Sequence, residues 1–93
     1  MALDTTQVQV IAEVLRTAPT LFDAAASWRE RYPGVRTLRI GADEMRDETP
    51  ALECGARRAY FARSDGMCVS VTREAGEANM VIFAEDGAAH GTR

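Results

Sequence analysis

Hydrophobic positions in the first third of the chain recur at helical spacing. Val8, Ile11, Val14, Leu15 and Ala18 form one apolar stripe on a 3.6-residue period. Asp4 precedes the stripe and Gln7 follows three residues later, the arrangement of a capping box, while Leu3 and Val8 occupy the two positions of a hydrophobic staple. Pro19 pushes the residue before it out of the α region, so the pattern predicts a helix over Thr5–Thr17. Thr20 is placed to cap a second helix, in which Leu21, Ala25, Trp28 and Tyr32 share a face with Phe22 and Ala26 beside them. Arg29 and Arg31 suit the negative end of its dipole, and Pro33-Gly34 ends it. The connection is so short that the two helices form a hairpin.

After Gly34 the period changes. Residues 35–40 alternate, with Leu38 and Ile40 on one side and Thr37 and Arg39 on the other. Residues 41–50 are acidic and irregular, Asp43, Glu44, Asp47 and Glu48 surrounding Met45 and Arg46, and read as an exposed loop. Residues 58–73 are β-rich on both sides of Asp65-Gly66, which predicts a hairpin closed by a two-residue type I′ turn. That turn would set Ser64 against Met67, Ala62 against Val69 and Tyr60 against Val71, all on the core side. Phe61 opposite Ser70, Arg63 opposite Cys68 and Ala59 opposite Thr72 would occupy the other side. A last strand over residues 78–84 follows the loop 74–77. The predicted fold is α+β, an N-terminal helical hairpin packed on one face of a three- to four-stranded antiparallel β-meander. Residues 1–86 form a single domain, and residues 87–93 are a flexible Gly/Ala-rich C-terminal tail.

Composition adds mainly exclusions. The 93 residues fit one domain, and the hydrophobic (46%) and charged (27%) fractions suit a folded globular chain rather than a disordered one. All 11 basic residues are Arg, as a GC-rich coding bias would produce, and 14 acidic residues lie among them. The basic stripe of a phosphate-gripping nucleic-acid binder is therefore missing from the pattern. No apolar run approaches the ~20 residues of a membrane helix, and the first residues lack the basic and apolar regions of a secretory signal. The expected location is cytoplasmic, with Cys54 and Cys68 reduced.

Catalytic machinery is not expected either. Cys54, Cys68 and the single His90 are too few to hold a structural zinc, and residues 41–50 lack EF-hand spacing and its central Gly. His90 sits in the tail, where nothing fixes its geometry. Phosphate loops, H-E-x-x-H and G-x-S-x-G are absent from the sequence, so no catalytic, cofactor or metal site is assigned.

Two surfaces remain. Two helices of about three turns cover one face of a sheet and leave the other open. Phe61 should project there with Arg63, Cys68, Met80 and Ile82, an apolar patch suited to a protein partner or a homodimer. A loop or the tail folding over the same face is the bland alternative. Arg63 opposite Cys68 would favour the thiolate. The second surface is a candidate anion site made by Arg57, Arg58 and Arg73 at the base of the hairpin, where Arg58 would face Arg73.

The run Ala59-Tyr60-Phe61-Ala62-Arg63-Ser64-Asp65-Gly66-Met67-Cys68-Val69-Ser70-Val71-Thr72, with Ala78-Asn79-Met80-Val81-Ile82-Phe83-Ala84-Glu85 after it, resembles a family of small uncharacterised bacterial proteins encoded with nitrogen-fixation genes. Tyr32-Pro33-Gly34, the acidic loop and a Cys shortly after the Asp-Gly turn belong to the same likeness. This chain departs from it in having Ser64 before Asp65 and no His before Cys68. The resemblance implies a nitrogen-fixation setting and no activity. The expected function is thus a non-enzymatic accessory or regulatory protein acting through the open sheet face; a small-ligand or anion-binding domain using the hairpin arginines is the alternative.

Overall fold

The computed structural model describes residues 3–41, 45 and 47–85. Helix α1 spans Thr5–Thr17 and α2 spans Leu21–Arg31. Both caps form as the side chains dictate. Asp4 accepts from the Gln7 amide at 2.8 Å while the Gln7 side chain accepts from the Asp4 amide at 2.9 Å, and Thr20 Oγ1 accepts from the Asp23 amide at 3.0 Å.

Five strands follow: β1 Arg36–Gly41, β2 Leu52–Cys54, β3 Arg57–Asp65, β4 Cys68–Thr72 and β5 Met80–Glu85. They form one sheet in the order β1-β5-β3, with β2 and β4 both pairing to the far edge of β3. The expected α+β architecture is present, but the sheet is mixed rather than an antiparallel meander, because β1 runs parallel to β5. The cause is the crossover after β4. A short 3-10 turn, Ala75–Glu77, lets the chain leave β4, with Ala75 C=O accepting from the Leu3 amide at 3.0 Å. Strand β5 then enters on the opposite side of β3, between it and β1. The Asn79 side chain prolongs this ladder, accepting from the Ser64 amide at 2.8 Å and donating to the Ser64 carbonyl at 3.0 Å.

Both hairpins turn on a glycine. Gly55 (φ 62°) and Gly66 (φ 68°) have positive φ while the residues after them do not, which marks the type II′ turn with glycine first. The second hairpin therefore turns on Gly66-Met67, not Asp65-Gly66. Its register is Asp65↔Cys68, Arg63↔Ser70, Ala62↔Val71 and Phe61↔Thr72, two residues away from the type I′ expectation. A slip of two keeps the same side chains together on each face and changes only their cross-strand partners. The β2–β3 hairpin at Gly55-Ala56 was not anticipated from the pattern.

The central strands are buried on both faces. On the helix side Ala59, Phe61, Val81 and Phe83 pack under Ile11, Leu15, Ala24 and Trp28, with α1 over β2 and β3 and α2 over β1 and β5. On the other side Tyr60, Ala62, Met80, Ile82 and Ala84 form a second cluster that includes Met45. The helices therefore cover the side expected to be open: Phe61, expected outside, is 6% exposed beneath them, while Tyr60 and Ala62, assigned to the core, are buried in the second cluster. Residues 59–62 are apolar at every position, so alternation along β3 cannot choose the face that meets the helices. Loop 41–50 also departs from expectation at Met45, which is 7% exposed and lies on the helix-free face, whereas Asp47 and Glu48 are exposed as predicted. The tail, including His90, lies outside the described residues.

Candidate interaction edge

The residues assigned to an open face separate into three environments. Phe61 belongs to the helix-side core. Met80 and Ile82 do reach the helix-free face but are buried in its second cluster, so neither is presented to a partner. Arg63 and Cys68 are exposed, on the helix side of the projecting β3–β4 hairpin. They are not cross-strand partners. Cys68 stands opposite Asp65, Arg63 stands opposite Ser70, and the Arg63 guanidinium donates to the Glu77 carbonyl at 3.4 Å.

The three candidate anion-site arginines do not converge. Arg57 and Arg58 are neighbours in one strand and point to opposite faces. Arg57 turns to the helices. Its guanidinium donates to the carbonyls of Leu15 (3.1 Å), Ala18 and Pro19 (2.7 Å), and its Nε lies 3.6 Å from Glu85. The Leu15 carbonyl would ordinarily accept from residue 19, but Pro19 has no N–H, and Arg57 supplies the missing donor. Arg58 lies beside Glu53 at 3.3 Å and pairs across the sheet with Glu53 and Ala84, so it does not face Arg73. That contact is a charge pair without a directed hydrogen bond, since the buried Arg58 Nε has no well-aligned acceptor among the described residues. Arg73 donates to Thr49 Oγ1 at 3.3 Å. Each of the three is thus engaged separately, Arg57 by carbonyls and Glu85, Arg58 by Glu53 and Arg73 by a hydroxyl.

A cavity of about 410 Å³ lies between the start of α2 and the end of β1, lined by Thr20, Leu21, Phe22, Arg39, Ile40, Gly41 and Glu85. Arg39 stacks over the Phe22 ring at 5.2 Å, and Glu85 is shared with Arg57. The charged groups on its rim are thus already partnered, and no ligand class is singled out. Among the described residues no group of three His, Cys, Asp or Glu side chains is placed to hold a metal ion, and no helix is long and apolar enough to cross a membrane.

The apolar side chains left outside point elsewhere. Among the described residues the exposed large hydrophobics are Phe22, Leu38, Met67 (fully exposed) and Val69 (50% exposed). Two of the four lie on the β3–β4 hairpin. Strand β4, Cys68-Val69-Ser70-Val71-Thr72, carries no charge and no proline, and among the described residues no strand pairs with its outer edge. Strand β1, the opposite edge, carries Arg36 and Arg39, charges of the kind that discourage edge pairing. Sequence reading missed this edge because it assigned Val69 and Val71 to the core side. The available signal was an uncharged strand after a glycine turn.

No protein-family model, curated protein or solved structure matches this chain.

Proposed function

We propose that this chain is a non-enzymatic accessory or regulatory domain that acts by binding protein, through the exposed edge of β4. The observation that carries the reading is the uncharged edge of β4, unpaired among the described residues, with Val69 half exposed and Met67 fully exposed beside it. An edge of this kind offers a row of main-chain donors and acceptors to an incoming strand, with alternate side-chain positions supplying selectivity. The arginine-based anion site has no comparable support, since Arg57, Arg58 and Arg73 face separate partners. The nitrogen-fixation setting rests on the family resemblance alone and assigns no residue a role.

The test compares wild type with Val69→Lys as bait in an extract of the native host. A protein recovered by wild type and lost with Val69→Lys supports edge binding. Equal recovery by the two baits refutes it.

A further inference from the structure

We propose that the occupant of the β4 edge is a second copy of this chain, paired antiparallel about a twofold axis at Ser70; this rests on the edge-binding reading above. The register follows from the hairpin. Asp65 and Cys68 flank a two-residue turn as a hydrogen-bonded pair, so by alternation Cys68, Ser70 and Thr72 direct their main-chain groups toward β3. Val69 and Val71 direct theirs outward. Asn79 supports this phase independently, since its side chain bonds both main-chain groups of Ser64 on the β5 side of β3.

Antiparallel self-pairing must set outward-facing residues against each other. Centring on Ser70 sets Val69 against the partner's Val71, and Val71 against the partner's Val69. All four outward N–H and C=O groups of each copy are then used. The four valines adjoin on the helix-free face, next to Ala62 and Ser64. Met67, fully exposed in one copy, falls opposite the partner's Arg73, whose aliphatic stem can cover it. Cys68 meets the partner's Thr72, and Ser70 meets the partner's Ser70. No like charges stand directly opposite one another, the arrangement that would penalise such a pair. Shifting the centre by one residue either way leaves one valine pair unmatched. A five-residue edge buries less than the ~1,200 Å² at which standard interfaces begin, so the dimer is concentration-dependent.

Sedimentation of the full chain across a wide concentration range tests the dimer, and single-cysteine cross-linking tests its register. Ser70 and the partner's Ser70 form a non-hydrogen-bonded pair with Cα atoms roughly 4.5 Å apart, within reach of a disulfide. Thr72 and the partner's Thr72 are four residues out of register, about 14 Å apart along the strands. In a C54S/C68S background, S70C should cross-link under mild oxidation about tenfold faster or more than T72C, and V69K should weaken self-association by about tenfold or more. Equal cross-linking of S70C and T72C, or a wild type monomeric throughout, overturns the dimer. If the wild type is monomeric but still recovers a host protein that V69K loses, edge binding stands and only the second copy is wrong. If neither association is sensitive to V69K, both readings fall.

Discussion

Removing the Arg57 side chain should cost more stability than any other single surface-accessible change in the domain, although sequence reading placed this residue in an anion site. Its guanidinium bonds three carbonyls at the junction of the two helices, one of them left without a donor by Pro19. Hydrogen bonds to a charged group contribute ~1.5–3 kcal/mol each when well made. The Arg57 side chain is 18% exposed, so the bonds lie in a partly dry environment. Pro19 and Thr20 are exposed, however, and in Arg57→Ala water can reach part of the released carbonyl set. Taking the low end for each bond and discounting for this rehydration gives a loss of about 3 kcal/mol. For a domain of this size that corresponds to a fall in Tm of roughly 12–24 °C. Arg57→Lys keeps the charge but cannot span three acceptors with one ammonium, and should lose ~1–2 kcal/mol. Glu85→Gln removes only a half-exposed ion pair at 3.6 Å and should cost less than ~1 kcal/mol. Urea denaturation followed by far-ultraviolet circular dichroism separates these values. A loss below ~1 kcal/mol in Arg57→Ala would show that the carbonyl fork contributes little, and an equal loss in Glu85→Gln would show that the ion pair with Glu85 rather than the fork is what Arg57 supplies.

Two other substitutions test the core and the turn. Phe61→Ala should destabilise the monomer by ~3–5 kcal/mol, because the ring is buried under both helices; an unchanged denaturation midpoint would return Phe61 to the surface. Gly66→Val should cost ~1–3 kcal/mol, since φ is 68° there while space around the missing Cβ is open, so backbone strain alone is measured; Gly66→Asn, which tolerates the left-handed region better, should recover part of the loss.

Local chemistry determined much of this protein. The ends of α1 follow from Asp4, Gln7 and Pro19, and the start of α2 from Thr20, because a cap or a proline acts within four residues of itself. The glycine-centred hairpin was legible for the same reason. Its register was not, since Asp65-Gly66 and Gly66-Met67 are both acceptable turn pairs, Gly66 having positive φ in either and only the first requiring it of Asp65 as well. The choice of core face could not be read either. Alternation reports which residues lie together, and Ala59-Tyr60-Phe61-Ala62 and Met80-Val81-Ile82-Phe83 are apolar on both sides. The sheet order was set by β5 pairing with the edge of β3 opposite β2 and β4 and in parallel with β1, a contact between segments some forty residues apart that leaves no local mark. That same crossover left the outer edge of β4 unpaired among the described residues, so tertiary pairing rather than pattern decided which residues are available to a partner.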